Sequence, residues 1–239
     1  MHTARCASAR LASARDRTDR SHCTRQEQRM RIGMIGTGRM ATTLGGAFVR
    51  AGHSVAVGGR DAAAAASVAA RTGARAAGSA AEAARYGEAV LLAVPAHAAP
   101  ELAGQLAPEL AGRTVLDCTV PMAPGPAGPA LTTSGGADSV AARIAAAAPG
   151  ARVAKVFGIC HESIWTLKAP VFEGAPLAVP FCAGDESAAA LVARLVTSMG
   201  CTPLPCGDLS RAPLLEAAAV FAIGVWWSGA ALPQREGLL

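Results

Sequence analysis

From residue 30 onwards, short apolar runs alternate with longer segments in which apolar residues recur every three or four positions. A short continuous run is typical of a strand buried on both faces, and the longer spacing is typical of a helix that packs one face on a sheet. Before residue 150 the predicted strands are 32–35, 54–57, 74–77, 89–94 and 114–119. Strands and helices that alternate in this way predict an α/β fold with a doubly wound parallel sheet.

The same pattern continues after residue 150, where it predicts a small C-terminal α/β extension. The predicted strands of this extension are 152–157, 177–183 and 201–206. A strongly apolar terminal helix is expected over 214–232. Two segments without regular spacing, 121–136 and 158–174, are predicted to be long loops, and loops of this length are usually functional or mobile.

Residues 1–29 differ from the rest of the chain in composition. They are rich in Arg, Ser and Ala, and their seven arginines face only three acidic residues. They contain no apolar run, so we expect a disordered basic N-terminal extension and no secretory signal peptide. The composition suits a mitochondrial transit peptide and equally suits translated sequence upstream of the true start. The second interpretation is favoured because Met30 opens directly onto the first strand.

Charge and cysteine content exclude several kinds of site. The net charge of +5 comes mostly from residues 1–29, which leave the body of the chain at only +1. No basic face with interleaved aromatic residues remains, so a nucleic-acid partner is not expected. The seven cysteines include no C-x-x-C pair, which argues against a metal site and for a reducing, cytoplasmic compartment.

The first predicted strand runs directly into Gly36-Thr37-Gly38-Arg39-Met40-Ala41. This is the G-x-G-x-x-A form of the dinucleotide fingerprint, placed between a strand and a helix as the fingerprint requires. Gly36 permits the tight turn, Gly38 lets the backbone approach a pyrophosphate, and Ala41 allows close helix–strand packing. The helix that follows would direct its free N–H groups and positive dipole end at the phosphates.

These features predict a Rossmann-type NAD(P)-binding fold, with a dinucleotide-binding domain over 30–150. Residues 151–239 would complete the sheet and form the substrate and interface region. Ligands in such folds bind at the carboxyl ends of the strands. The predicted cofactor-binding residues at that edge are Gly36, Thr37, Gly38, Arg39, Met40, Gly59, Arg60, Val94, Pro95, His97 and Thr119. His97 would touch the nicotinamide amide or, alternatively, lie on the surface at a helix start.

The end of the second strand indicates which cofactor is bound. An NAD site needs a carboxylate about 20 residues beyond the glycines. Gly58, Gly59 and Arg60 occupy that region instead, so no acid would repel a 2′-phosphate and Arg60 could pair with it. The pattern favours NADP(H), and the alternative is a solvated arginine before the helix cap Asp61.

Several motifs occur together in an order that resembles one family. They are the opening segment 30–41, Gly59-Arg60-Asp61, Ala93-Val94-Pro95, Val115-Leu116-Asp117-Cys118-Thr119, Lys155-Val156-Phe157 and Leu214-Leu215-Glu216. From about residue 30 to 230, the chain resembles the F420-dependent NADP oxidoreductases, which include the NADPH:F420 reductases.

The resemblance implies direct hydride transfer between NADP(H) and the deazaflavin ring of coenzyme F420, the small-molecule hydride acceptor or donor. It also implies that residues 37–40 bind phosphates and that Gly59 and Arg60 match the pair that binds the 2′-phosphate. This chain departs from the family pattern at three positions. Gly59 replaces a usual Ser, Val120 replaces an Asn that often precedes the proline, and Gly158 replaces an Asn that often follows Lys-x-Phe.

The sequence assigns no catalytic residue. His161 could be a general acid or half of a nucleophilic pair with Cys160, whereas Asp117 and Lys155 could be purely structural. Two other functions remain open. One is an imine reductase resembling pyrroline-5-carboxylate reductase, whose opening motif is similar. The other is a non-catalytic NADP-binding or sensor protein. The replacement of polar residues by Val120 and Gly158 would suit such a protein.

The terminal helix predicts a partner. Its uncharged part, 217–232, is short for a membrane span and contains Gly224 and Gly229, so no membrane association is expected. Phe221, Trp226 and Trp227 present more apolar surface than a lone surface helix should expose. We therefore expect a homodimer that buries this helix.

Overall fold

The computed structural model describes residues 29–126 and 128–227. The predicted extension over 1–29, apart from Arg29, and the predicted helix beyond Trp227 lie outside the described residues. The strands are β1 (Arg31–Ile35), β2 (Ser54–Gly58), β3 (Arg75–Gly78), β4 (Ala89–Leu92), β5 (Thr114–Asp117), β6 (Met122–Gly125), β7 (Gly128–Leu131), β8 (Arg152–Val156), β9 (Val171–Phe172), β10 (Ala175–Pro176), β11 (Ala178–Ala183) and β12 (Thr202–Pro205). The helices are α1 (Arg39–Arg50), α2 (Ala62–Thr72), α3 (Ala80–Tyr86), α4 (Ala99–Gln105), α5 (Ala107–Leu110), α6 (Val140–Ala147), α7 (Glu186–Ser198) and α8 (Ala212–Trp227), with 3-10 turns at Glu162–Thr166 and Leu209–Arg211.

Eight strands form one sheet in the order β3-β2-β1-β4-β5-β8-β11-β12. The first six are parallel, and the chain winds outward from β1 in both directions. The predicted fold class, a doubly wound Rossmann-type sheet with a C-terminal α/β extension, is therefore confirmed. One junction is not parallel, because β11 runs antiparallel to β8. The segment 157–177 joins them through a 3-10 turn and a small hairpin instead of the crossover helix that a parallel pair needs.

Helices cover both faces of the sheet and create two hydrophobic cores. Helices α1, α2 and α7 pack on one face, and α3 to α6 pack on the other. On the first face the Phe157 ring lies 5.9 Å from that of Phe48 and 5.2 Å from that of Trp165, measured between ring centroids. This aromatic cluster holds the segment after β8 against α1, so that segment reaches the carboxyl edge of the sheet beside the glycine turn.

The two predicted loops contain more structure than the sequence indicated. Strands β6 and β7 form an antiparallel hairpin within 121–136, and β7 packs against α8. The segment 158–174 holds the 3-10 turn Glu162–Thr166 and strand β9 of a second short hairpin. Both hairpins are rich in Pro and Gly, whose presence in a sequence predicts turns but does not say which flanking residues pair.

The last helix is apolar on all sides but buries only part of its surface. The segment Leu209–Trp227 has 19 residues, and by length and composition alone it would allow a membrane span. Within it, Glu216 is fully buried, whereas the side chains of Leu214, Phe221 and Trp227 are 59%, 68% and 63% exposed. A buried carboxylate is typical of a helix that packs within its own fold, and large apolar side chains remain exposed on the other face of α8.

Candidate functional site

The glycine turn after β1 is held by contacts that only glycine permits at its first position. Gly36 has φ +133°, and a Cβ added there would lie 2.2 Å from the carbonyl oxygen of Ala93, just after β4. The N–H of Gly36 donates to the carbonyl of Gly58, at the end of β2, over 3.0 Å. The turn therefore packs directly against the ends of both neighbouring strands.

Gly38 precedes α1 and leaves the start of that helix open. Among the residues that the structure describes, no side chain caps this helix, and its first turn carries no acidic residue. The N–H of Thr42 donates to the carbonyl of Gly38 at 3.0 Å, so the N–H groups of residues 39–41 precede the first helical bond. A Cβ added at Gly38 would have no atom of the described residues within 4 Å. This space and these N–H groups fit the diphosphate of a dinucleotide.

Gly59 and Arg60 follow β2 beside the glycine turn. A Cβ added at Gly59 would lie 3.5 Å from Cγ2 of Thr37. Arg60 is exposed, and the neighbouring Asp61 accepts the N–H groups of the second and third residues of α2 at 2.8 and 3.1 Å. Oδ1 of Asp61 is thus engaged as the cap of α2. The arrangement leaves a cation exposed where a 2′-phosphate was predicted to bind.

The residues after β4 form a turn next to the glycine turn. The carbonyl of Pro95 accepts the N–H of Ala98 at 2.9 Å, and α4 begins directly afterwards. Val94 is half-buried, whereas Pro95 and His97 are exposed. The structure thus brings these residues to the predicted edge, and the contact of His97 with a nicotinamide amide stays a prediction.

Thr119 belongs to a buried ion cluster at the same edge. The Nζ atom of Lys155 lies 2.9 Å from Oδ2 of Asp117, 2.9 Å from Oε1 of Glu216 and 2.7 Å from the carbonyl oxygen of Thr119. Burial by itself would lower the pKa of Lys155, but the two carboxylates outweigh it and raise that pKa above its ordinary value. Glu216 also accepts the N–H of Val140, at the start of α6, over 2.9 Å. The cluster therefore ties the floor of the predicted nicotinamide site to both α6 and α8.

The backbone directly after β8 is strained and closely packed. Phe157 is fully buried with φ +68°, a left-handed conformation that residues other than glycine rarely adopt. A Cβ added at Gly158 would lie 3.2 Å from the carbonyl oxygens of both Cys118 and Thr119. Close packing of Gly158 on these carbonyls couples the segment after β8 to the ion cluster, since Lys155 donates to one of them.

Cys160 and His161 do not form a nucleophilic pair. The Cys160 thiol is buried, and burial together with nearby Cys201 raises its pKa to about 12, so it stays protonated. His161 is directed instead at the 3-10 turn that follows it. Its Nδ1 atom lies 2.9 Å from Oγ of Ser163, and its Nε2 atom lies 3.2 Å from Oε2 of Glu162. This geometry assigns no catalytic residue.

The sequence did not predict the roles of Glu162 and Glu216 in this site, although Glu216 belongs to the Leu214-Leu215-Glu216 motif. Oε1 of Glu162 lies 3.1 Å from Nε of Arg39, at the start of α1. Glu216 carries a usable signal, since a lone acid in a strongly apolar helix is rarely buried without a partner. Glu162 carries none, because nothing in its sequence neighbours indicates an ion pair with the glycine turn. Among the residues that the structure describes, no three or more His, Cys, Asp and Glu side chains are grouped to hold a metal.

Comparison with known proteins supports the dinucleotide-binding half most directly. Residues 31–121 match the profile of the family described as NADP oxidoreductase, coenzyme F420-dependent. This segment includes the glycine turn, the end of β2, the turn after β4 and Thr119. The match therefore covers all of the predicted cofactor-binding residues.

Solved structures extend the likeness to most of the chain. A protein from Arthrobacter sp. FB24, named as a candidate F420-dependent NADP reductase, is 26% identical, with a TM-score of 0.73 over 83% of this chain and 94% of that one. A protein of undefined function from Sinorhizobium meliloti, SMa0349, is 23% identical, with a TM-score of 0.66 over 77% and 88%. A reductive aminase from Aspergillus terreus, in complex with NADPH and ethyl levulinate, is 22% identical, with a TM-score of 0.60 over 84% of this chain but only 63% of that one.

The last two similarities show the fold alone, because identity below a quarter carries no function with it. No curated protein matches this sequence. The family profile, over residues 31–121, and the Arthrobacter structure confirm the resemblance that the motifs indicated, and together they support an NADP-dependent oxidoreductase.

Proposed function

We propose that this protein is a cytoplasmic enzyme that transfers a hydride between NADP(H) and the deazaflavin coenzyme F420. The observation that carries the proposal is the open start of α1 at Gly38, in a segment that matches the F420-dependent family. The uncapped N–H groups of α1 and the side chain of Arg39 would hold the diphosphate, and Arg60 would hold the 2′-phosphate. Val94, Pro95 and Thr119 would line the nicotinamide end.

The titratable side chains around the predicted nicotinamide end support a reaction that depends on positioning. Lys155, Asp117 and Glu216 are committed to one another, and the Cys160 thiol stays protonated. NADPH and F420 supply the hydride chemistry themselves, so the protein has mainly to orient two ring systems and exclude water. Carbonyl or imine reduction would instead require a proton donor aimed at the substrate.

The activity is tested by mixing the purified protein with NADPH and oxidised F420 and following the loss of the deazaflavin's visible absorbance. We expect a loss that requires protein and both coenzymes together, and the reverse reaction with reduced F420 and NADP⁺. No turnover in either direction across a wide pH range would reject F420 as the second substrate. NADPH oxidation by a cyclic imine in the same assay would favour the imine reductase alternative, and binding without turnover would favour the sensor.

Arg60 should determine the choice between the two nicotinamide cofactors. We expect NADP(H) to bind more tightly than NAD(H), and Arg60→Ala to remove most of the difference. A charge-assisted contact to the 2′-phosphate contributes roughly 1.5–3 kcal/mol, or about 10- to 150-fold in affinity. Calorimetric titration with both cofactors measures this. Arg85→Ala, which removes an exposed arginine paired with Glu109 at the amino edge of the sheet, is the control. Equal affinities in the parent protein would contradict the assignment.

We also infer that the exposed face of α8 is buried in a homodimer. Leu214, Phe221 and Trp227 expose large apolar side chains on a helix that bears no charge on that face. Sedimentation at increasing concentration should show a dimer, and Phe221→Ser should shift the equilibrium towards the monomer because it places a polar group at the contact. A parent protein that remains monomeric at high concentration would exclude this interface.

A further inference from the structure

The glycine turn and the segment after β8 are joined by an ion pair between Arg39 and Glu162. Arg39 is the first residue of α1, and its side chain is 87% exposed. Its Nε atom lies 3.1 Å from Oε1 of Glu162, which belongs to the 3-10 turn that packs along α1. A carboxylate therefore reaches, from a distant part of the sequence, the one arginine placed at the open start of the helix.

The second oxygen of Glu162 continues the connection to His161. Oε2 of Glu162 lies 3.2 Å from Nε2 of His161. The backbone N–H of Ser163 donates to Nδ1 of the same ring at 3.3 Å. Because Nδ1 accepts, the neutral ring carries its proton on Nε2 and donates it to Glu162. One carboxylate thus holds an arginine with one oxygen and a histidine with the other.

The His161 ring in turn contacts the last helix. The two rings of His161 and Trp226 are nearly perpendicular, with an angle of 87° and 5.9 Å between their centroids. A continuous series of contacts therefore runs from Arg39 through Glu162 and His161 to Trp226, which lies near the end of α8. This series begins where the diphosphate is expected and ends on the helix with the exposed apolar face.

Glu162 and a diphosphate are competitors for the same cation. Both are anions, and Arg39 lies beside the helix start that would bind the phosphates. The Arg39 side of this ion pair is 87% exposed although Glu162 is only 21% exposed, so water reaches the pair, and pairs that water reaches are weak and screened by salt. A diphosphate carries more charge than a carboxylate and also receives the N–H groups and the dipole of α1, so it should win the exchange.

We propose that Glu162 is a positioning residue that exchanges partners when the dinucleotide binds. The cofactor draws Arg39 away, and the freed carboxylate is left with His161 alone, which changes the contact between His161 and Trp226. Dinucleotide binding is in this way transmitted to α8 by the exchange of a single ion pair. The inference rests only on the cofactor half of the proposed function and does not depend on the identity of the hydride acceptor.

Calorimetric titration with NADP⁺ tests the competition. Glu162→Gln keeps the length of the side chain but removes its charge, so NADP⁺ should bind about two- to five-fold more tightly than to the parent. The matched control is Glu109→Gln. Glu109 is also 21% exposed and lies 3.0 Å from an arginine, Arg85, but at the amino edge of the sheet. That variant should bind NADP⁺ as the parent does.

Tryptophan fluorescence tests the transmission. The signal of Trp226, obtained as the difference between the parent and Trp226→Phe, should change when NADP⁺ or inorganic pyrophosphate is added. In Glu162→Gln this change should be lost although NADP⁺ still binds. If Glu162 were purely structural, Glu162→Gln would bind NADP⁺ as tightly as the parent or more weakly, and the fluorescence response would remain. That result would overturn the inference but leave the cofactor assignment standing. A parent protein that binds no NADP⁺ would overturn the cofactor assignment and the inference with it.

Discussion

Replacing Lys155 by methionine should lower the free energy of unfolding by about 3–5 kcal/mol, because it leaves two buried carboxylates without their cation. Asp117 and Glu216 are both fully buried, and each lies 2.9 Å from Nζ of Lys155. Methionine has nearly the volume of the lysine stem, so the loss would come from charge and not from a cavity. Glu216→Gln, which keeps the shape and one acceptor, should cost less, about 1–3 kcal/mol.

Urea unfolding monitored by circular dichroism measures both losses. The control is Arg143→Met, which breaks an ion pair of 2.7 Å between Arg143 and Asp138 that is exposed to solvent. Its cost should be much smaller, because exposed ion pairs contribute little to stability. The pKa of Lys155 is raised in the fold, so its contribution is fully present below the ordinary lysine pKa and is lost only as the pH rises through the folded value. If Lys155→Met cost no more than Arg143→Met, the ion cluster would not be a major source of stability.

Replacing each of the two glycines of the turn by alanine should have a different effect, a loss of stability at Gly36 and a loss of cofactor affinity at Gly38. Gly36→Ala places its Cβ 2.2 Å from the carbonyl oxygen of Ala93, at a φ of +133°. Backbone strain and overpacking together should cost about 2–6 kcal/mol of stability. Gly38→Ala has φ −79° and open space around its Cβ, so its stability should change by no more than about 1 kcal/mol.

Gly38→Ala, which should leave stability nearly unchanged, should instead lower the affinity for the cofactor. The Cβ of Gly38→Ala would occupy the space that the diphosphate needs, so NADP(H) affinity should fall by about 10- to 150-fold, corresponding to the loss of one charge-assisted contact. Thermal unfolding and NADPH titration on the same samples separate the two effects. A folded Gly38→Ala protein that binds NADPH as tightly as the parent would show that the diphosphate does not lie over this turn.

The parallel sheet was predictable because its signals are local. Each inner strand is an apolar run bounded by Gly or Pro. The helix caps Asp61, Ser79 and Asp185 are recognisable because each is an Asp or Ser directly before a helical segment. The glycine turn was equally readable, since Gly36 and Gly38 are needed for reasons that the strand–turn–helix context already contains. Both predictions depend on residues that are near one another in the chain.

The parts of the site that sequence did not predict depend on residues far apart. The partners of Lys155 lie 38 and 61 positions away, and that of Arg39 lies 123 positions away. No periodicity connects such residues, and only the folded sheet brings them together. The antiparallel direction of β11 could not be predicted for a related reason. The sequence of the loop before a strand does not show from which end of the sheet that strand starts.

Isotope transfer in a single turnover tests the central claim most directly. NADPH that carries deuterium on the transferred position of nicotinamide C4 would be mixed with oxidised F420 and excess protein in ordinary water, and the reduced deazaflavin would be analysed by mass spectrometry. Direct hydride transfer predicts one deuterium in the reduced F420, with none lost to solvent. Reduced F420 without deuterium, or F420 left unreduced while NADPH is bound, would contradict the account.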